Sequence, residues 1–316
     1  MTVTDLDTTV SARRPAVLIG LIGEGVTPSL SPPMHELEGA RHGMHYVYRT
    51  IDLAPAEGTP EYLEALLRAA RRLGFNGLNI THPVKQAVVP LLDDLSDSAR
   101  AVGAVNTVVF TDAGTIGHNT DVTGFDAALR DAFGVEPLER VVLLGTGGAG
   151  SAVATALAQR PVTDLVLIDQ VPERASALAA QVNALDAASV RAADLGDLPG
   201  VLAGADLVVN ATPIGMAAHP GTPFDVALLP DGIRVADIVY RPADTALLQA
   251  ARARGIRTMS GLGMAMHQAA DAFEIFTGER ADRTAMLADL NDLVAAEATG
   301  NPPATPETAP ERGENR

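Results

Sequence analysis

Val141-Val-Leu-Leu-Gly145-Thr-Gly147-Gly148-Ala149-Gly150 decides the fold of this 316-residue chain. An apolar β-forming run passes directly into three glycines spaced G-x-G-x-x-G, and a helical stretch, Ser151–Gln159, follows. Each glycine answers a steric demand of a strand–turn–helix that holds a dinucleotide. Gly145 permits the tight turn, Gly147 lets the backbone approach a pyrophosphate, and Gly150 allows close packing of the helix. The helix end near Ser151 supplies amide donors and the positive end of a dipole. Nineteen residues after Gly150, Asp169 ends the next apolar run, Leu165-Val-Leu-Ile. A carboxylate there accepts from both ribose hydroxyls and repels a 2′-phosphate, so NAD is expected in preference to NADP. Gln170-Val171-Pro172 come next, and Arg174 is the first cation after the carboxylate.

Outward from this stretch, short apolar runs alternate with amphipathic ones, the pattern of an α/β fold. Upstream, Ala16–Ile22, Tyr46–Ile51, Gly77–Ile80 and Val105–Phe110 read as strands. Met34–Arg41, Pro60–Leu73, Lys85–Leu92 and Asp126–Phe133 read as helices. Downstream, Val141–Leu144, Leu165–Ile168, Leu207–Val209 and Val235–Ile238 are expected strands, with helices over Ser151–Gln159, Arg174–Asn183 and Ala246–Arg254. Ala265–Phe276 and Arg283–Ala296 are the last expected helices. The expected organisation is a substrate domain over 15–122, a doubly wound Rossmann domain over 123–261, and a segment 262–296 that returns to the first domain. Residues 1–14 and the Pro/Glu/Thr-rich 297–316 are expected to be disordered tails.

Bulk composition narrows the function. A formal net charge of −16 and a pI near 4.7 disfavour a nucleic-acid backbone or an anionic membrane as partner. The absence of cysteine excludes disulfides, thiolate metal sites and thiol nucleophiles, and it fits a reducing compartment. The apolar run Ala16–Ile22 is too short to span a membrane. A cytoplasmic protein acting on a small molecule is expected, with no metal; a homodimer is compatible with the sequence.

Lys85 is the only lysine, against 22 arginines. Arginine stays charged at ordinary pH, whereas a lysine can gain and lose a proton when buried or placed near another charge. Small polar residues cluster after predicted strands around it. Ser29-Leu-Ser31-Pro-Pro-Met-His35 puts two hydroxyls before a helix, where Ser31 also reads as an N-cap with Pro32 at the first helical position. Asn79-Ile-Thr81-His-Pro-Val-Lys85, Gly103-Ala-Val-Asn106-Thr107 and His118-Asn119-Thr120-Asp121 add a hydroxyl, amides and a carboxylate. Asp121 reads equally as a turn or cap residue. Asn210-Ala-Thr212-Pro213 follows a strand, at the edge where such sheets bind ligands, and reads equally as a turn.

S-x-S-P-x-x-H, N-I-T-x-P-x-K, G-A-V-N-T, N-T-D and Gly261-Leu-Gly-Met-Ala-Met-His-Gln268 occur in this order between Gly20 and Gly278. In this the chain resembles the shikimate dehydrogenases. The resemblance implies Lys85 and Asp121 as the catalytic pair. It also implies Ser29 and Ser31 at a substrate carboxylate, Thr81, Asn106 and Gln268 around ring hydroxyls, and Tyr240 lining the cleft. The implied cofactor contacts are Gly145, Gly147, Gly148, Ala149, Gly150, Asp169, Arg174, Thr212, Ile238 and Gly261. NADP-using members carry N-R-T where this chain has Asp169-Gln-Val, and a proline where it has Gly25. With Gly77-Leu-Asn-Ile-Thr-His-Pro and Ala217-Ala-His-Pro-Gly221, these departures resemble the actinobacterial NAD-dependent quinate/shikimate branch. That branch can carry threonine where this chain has Ser31, which leaves shikimate and quinate both open.

The implied reaction removes a hydride from a ring carbon of a cyclohexene or cyclohexane carboxylate and a proton from its oxygen. Lys85 is expected to handle the proton, coupled to Asp121. Aminoshikimate-type dehydrogenases and a non-catalytic NAD-sensing relative are the alternatives. Folate-converting two-domain enzymes are disfavoured by the S-x-S and N-T-D segments.

Overall fold

The computed structural model describes residues 15–185 and 189–299. The tail expected over 1–14 and the part of the C-terminal tail beyond Thr299 lie outside the described residues. The first half runs β1 (Ala16–Gly23), α1 (Ser31–Arg41), β2 (His45–Asp52), α2 (Pro60–Arg72), β3 (Gly77–Ile80), β4 (Asp94–Leu95), α3 (Asp97–Val102), β5 (Thr107–Thr111), β6 (Gly114–His118) and α4 (Thr120–Phe133). Then come β7 (Leu138–Leu144), α5 (Gly148–Ala158), β8 (Val162–Ile168), α6 (Pro172–Asn183), β9 (Ser189–Ala192), α7 (Leu198–Leu202), β10 (Leu207–Asn210), β11 (Arg234–Asp237), α8 (Ala246–Ala253) and β12 (Arg257–Met259). Two helices, α9 (Gly261–Thr277) and α10 (Arg283–Thr299), close the described chain.

The strands form two sheets, and the α/β expectation of two domains is borne out. One sheet is ordered β2-β1-β3-β5-β6-β4, with β1 parallel to β2 and β3 and an antiparallel turn through β5 and β6. The other is wholly parallel in the order β12-β11-β10-β7-β8-β9. Counted from β7, this is the doubly wound dinucleotide-binding order, with its switch point between β7 and β10. Both faces of that sheet are covered, so β7 is apolar and buried from Val141 to Leu144. Val141 and Leu143 pack into one core with α4, α5 and α6, while Val142 and Leu144 pack into the other with α7 and α8.

Helices α9 and α10 fold back onto the first sheet. Leu262, Met266, Phe273 and Phe276 of α9 and Met286, Leu290 and Leu293 of α10 join Val17, Ile19 and Leu21 of β1 in one core. A fully buried side chain such as Phe273 contributes roughly 1.5–3 kcal/mol. Among the described residues, no helix is long and apolar enough to cross a membrane.

Several expectations need correction. Lys85–Leu92 is not a helix but a series of turns ending in a short 3₁₀ segment, Val89–Leu91. Pro90 supplies no N–H and disfavours helical geometry at Val89, which breaks the run. Ser31 is the first residue of α1 rather than its cap, a place taken by Leu30. Helix α4 begins at Thr120 instead of Asp126, and α5 begins at Gly148 instead of Ser151. The border drawn between 122 and 123 falls inside α4, and the tail drawn from 297 begins inside α10. The elements β4, α3, β6, β9, α7 and β12 were not anticipated, because each is short or, as in Gly114-Thr-Ile-Gly-His118, weakly apolar.

Candidate active site

Lys85 is held at the carboxyl edge of the first sheet by its neighbours' packing and by its own backbone. Val84 and Val88 on either side are buried at 2% and 1% exposure. The Lys85 carbonyl accepts from Val105 N at 2.9 Å, and Val84 N donates to Thr81 O at 3.1 Å. The side chain thus has a rigid base, and its Nζ reaches Asp121 Oδ2 at 2.6 Å. Asp121 stands in the first turn of α4. The helix is capped by Asn119, whose Oδ1 accepts from Asp121 N at 3.2 Å and whose Nδ2 donates to Ala104 O. Both partners are largely enclosed, at 18% and 11% side-chain exposure, so their attraction is screened less than that of a surface pair.

Asn106 orients the carboxylate. Its Nδ2 donates to Asp121 Oδ1 at 3.1 Å and to Thr120 Oγ1 at 2.9 Å. Its Oδ1 accepts from Thr120 N at 2.8 Å and Thr107 Oγ1 at 3.0 Å. An amide offers two donors and two acceptor positions, and all four are engaged within the protein. The structure therefore brings Asn106 onto Asp121. Asn79, which sequence reading left without a role, stands behind it. Asn79 accepts from Tyr48 Oη at 2.6 Å and donates to Thr107 Oγ1 at 3.0 Å and Asn106 O at 3.2 Å. The tyrosine at that end is fully enclosed, and burial pushes its phenol well above the usual range.

The remaining site residues lie on separate supports. Ser29 and Ser31 are half-buried in and after the loop that leaves β1, and Ser29 Oγ accepts from Ser31 N at 3.2 Å. Asp52 at the end of β2 fixes that loop, accepting from Gly25 N at 2.7 Å and from Thr27 Oγ1 at 2.7 Å. These bonds, led by the Thr27 hydroxyl, hold the Asp52 carboxyl below its ordinary range. Thr81 faces Gly23 so closely that a Cβ there would lie 2.4 Å from Thr81 Cγ2. Tyr240 packs against the core formed by β1, α9 and α10. Its neighbour Arg241 donates to Pro28 O at 3.0 Å and pairs with Glu297. Gln268 lies on α9 against Gly124 of α4, where a Cβ would meet Gln268 N at 2.8 Å. None of Ser29, Ser31, Thr81, Tyr240 or Gln268 is hydrogen-bonded to Lys85 or Asp121; Asn106 and Lys85 are Asp121's side-chain partners.

The second sheet brings its ligand-binding loops together at the switch point. Gly145 has φ +92°, and a Cβ there would meet Ala211 C and O at 2.7 Å and Thr212 N at 2.8 Å. A Cβ on Gly150 would lie 2.1 Å from Gly145 O, whereas Cβ atoms on Gly147 or Gly148 would meet nothing within 4 Å. The first two glycines close the loop, and the others leave space above the amino end of α5, beside half-buried Ala149. That open cradle at a helix N-terminus fits a pyrophosphate. Thr212 is held by Asn210 Oδ1, which accepts from both its N and its Oγ1. The Asn210 amide in turn donates to Asp237 Oδ1 at 2.9 Å. Burial raises the Asp237 carboxyl above its ordinary value against the bonds from Thr245, Val239 and Asn210. Ile238 and Gly261 meet at the next loop, where a Cβ on Gly261 would lie 2.2 Å from Ile238 O.

Asp169 sits just past β8. Its Oδ2 accepts from Thr146 N and Thr146 Oγ1, both at 2.8 Å, and its Oδ1 from Val171 N at 3.0 Å. Burial pushes its pKa up, but the Val171 and Thr146 bonds and the nearby Arg174 charge outweigh this, so the carboxyl lies below its ordinary value. Arg174 itself is exposed in the first turn of α6. A carboxylate offers about four acceptor positions. With three filled, one acceptor position on Asp169 stays open. Thr146 carries no motif signal beyond its place between the glycines, and sequence reading passed over it.

Residues 21–108 match the shikimate dehydrogenase substrate binding domain, and residues 261–290 match the shikimate 5′-dehydrogenase C-terminal domain. Residues 141–219 match the saccharopine dehydrogenase NADP binding domain. Shikimate dehydrogenase (NADP(+)) of Streptomyces avermitilis is 51% identical over 89% of this chain and 97% of its own length. Quinate/shikimate dehydrogenase (NAD(+)) of Corynebacterium glutamicum is 50% identical over 86% of this chain and 96% of its own length. The structure of quinate dehydrogenase from C. glutamicum in complex with NAD aligns with a TM-score of 0.82 at 49% identity, covering 87% of this chain and 98% of that one.

Proposed function

The chain belongs to the shikimate dehydrogenase family, and from that premise we propose that it interconverts shikimate and 3-dehydroshikimate, or quinate and 3-dehydroquinate, with NAD. The observation that carries this reading is the 2.6 Å contact between Lys85 Nζ and Asp121 Oδ2, at the carboxyl edge of the first sheet. Relatives of similar identity differ in the cofactor their names carry. The Asp169 carboxylate therefore supports NAD for this chain: its negative charge opposes a 2′-phosphate and leaves an acceptor for a ribose hydroxyl.

Gly145, Gly147, Gly148, Ala149 and Gly150 would hold the pyrophosphate, with Asp169 at the ribose and Thr212, Ile238 and Gly261 nearer the nicotinamide end. When bound, NAD supplies the acceptor for the hydride that leaves the ring carbon. Lys85 Nζ takes the proton from the reacting hydroxyl in the oxidising direction and returns it in the reducing one. Asp121 holds the Lys85 side chain in place, stabilises the ammonium that proton uptake by the neutral amine creates, and accepts from the substrate hydroxyl, with Asn106 fixing its plane. Ser29 and Ser31 donate to the substrate carboxylate, which offsets the repulsion of a chain with formal charge −16. Thr81, Gln268 and Tyr240 orient the ring. The composition and the small-molecule chemistry support a cytoplasmic setting.

Initial rates with purified protein, crossing shikimate and quinate with NAD and NADP, test the reading. NAD-linked oxidation of at least one acid is expected. Absence of NAD reduction with both acids overturns it.

A further inference from the structure

Thr146 occupies the unnamed position between the first two fingerprint glycines, where any small residue satisfies the motif. It is 7% exposed, and its hydroxyl does not point into the cradle. Instead it donates to Asp169 Oδ2 at 2.8 Å, on the same oxygen that accepts the Thr146 N–H at 2.8 Å. Two bonds from one residue to one carboxylate oxygen fix the plane of that carboxylate, and Val171 N on Oδ1 at 3.0 Å closes a third position.

A carboxylate at this position on a free rotor has two ways to receive a dinucleotide. It can grip both ribose hydroxyls, or it can turn aside for a phosphate. The three bonds remove both options at once. One acceptor position on Oδ1 stays open, and the charge cannot swing away. Resting on the NAD-linked reading above, we infer that Thr146 is a specificity-determining residue: its hydroxyl pins Asp169 so that one ribose hydroxyl is accepted and a 2′-phosphate meets a fixed negative charge. Thr146 acts through Asp169 and is a positioning residue. A residue that only filled space between the glycines would leave cofactor choice untouched when replaced by a shape-matched side chain.

Thr146→Val keeps the shape and the N–H and deletes the hydroxyl; Thr146→Ser keeps the hydroxyl. Dissociation constants for NADH and NADPH, measured by fluorescence titration without any acid substrate, read the effect independently of turnover. The wild type is expected to favour NADH. In Thr146→Val the preference falls about tenfold, the scale of one charge-assisted hydrogen bond, while Thr146→Ser stays within about twofold of the wild type. A ¹³C titration of the Asp169 carboxyl in the protein without cofactor gives a second readout, moving toward the ordinary value in Thr146→Val and not in Thr146→Ser. A Thr146→Val protein as selective as the wild type overturns the inference and leaves the NAD reading standing. A wild type that binds both cofactors equally overturns both. Should Thr146→Val not fold, Thr146→Ala serves in its place with the same expected and overturning results.

Discussion

Asn106 donates to one oxygen of Asp121 at 3.1 Å while Lys85 holds the other at 2.6 Å. The carboxylate is clamped from both sides, and the clamp joins three segments: the turn after β3, the start of β5 and the first turn of α4. Removing Asn106 frees Asp121 and leaves Thr120 N without its acceptor. Asn106→Ala is expected to lower kcat about tenfold and stability by roughly 1–3 kcal/mol, the cost of a stranded buried polar group. NADH affinity should not change. A variant whose loss is confined to KM for the acid would show Asn106 acting as a substrate ligand instead.

Lys85→Ala should reduce kcat on the order of a hundredfold or more, the scale of general acid–base catalysis. Lys85→Arg keeps a cation beside Asp121 but cannot release a proton at ordinary pH. It is expected to be nearly as slow as the alanine variant. Arginine restoring most of the rate would reduce Lys85 to an anion clamp.

Two glycines separate packing from ligand binding. A Cβ on Gly124 would collide with Gln268 N at 2.8 Å, and the backbone on either side cannot yield without parting α4 from α9. Gly124→Ala should cost about 1–3 kcal/mol in urea unfolding. A Cβ on Gly147 would meet nothing within 4 Å, and its φ of −71° suits alanine. Gly147→Ala should therefore be stable to within about 0.5 kcal/mol, yet bind NADH at least about tenfold more weakly by blocking the approach to the pyrophosphate. Equal unfolding midpoints for the two variants would contradict the assignment.

Acid sensitivity should trace in part to His35. Burial pushes its imidazole from the ordinary 6.5 down to about 3. The folded chain keeps His35 neutral while the unfolded chain takes up a proton. Stability is thus complete above about pH 6.5 and is lost as pH falls toward 3, at about 1.4 kcal/mol per pH unit. The stability difference between the wild type and His35→Gln, measured by urea unfolding at pH 7, 6 and 5, should shrink on acidification. A difference that is constant with pH would show that His35 does not carry this dependence. Asp52 and Asp169, held below their ordinary value of 3.8, act in the same direction only below that pH.

Much of the architecture was legible because its signals are local. The glycine run, the alternation of apolar runs with amphipathic ones, and Gly77–Ile80 all depend on backbone sterics or side-chain period within a few residues. Reading failed where a second local signal competed, as when the apolar spacing of Lys85–Leu92 obscured the break at Pro90. It also failed where no local signal exists: Gly114–His118 becomes a strand because β5 and β4 pair with it, not because its side chains favour one.

The amino-acid sequence by itself determined the chemical inventory: a single lysine, a carboxylate after an N-T motif, a glycine turn and an acid at the end of the following strand. Local geometry needs only neighbouring residues, so these could be read without the fold. Tertiary structure alone decided the pairings. It set Lys85 against Asp121, 36 residues away, set Asn106 against the same carboxylate, and closed three acceptor positions on Asp169. Hydrogen bonds depend on distances of a few tenths of an ångström between distant segments, and only the packed sheets and the returning helices set those distances.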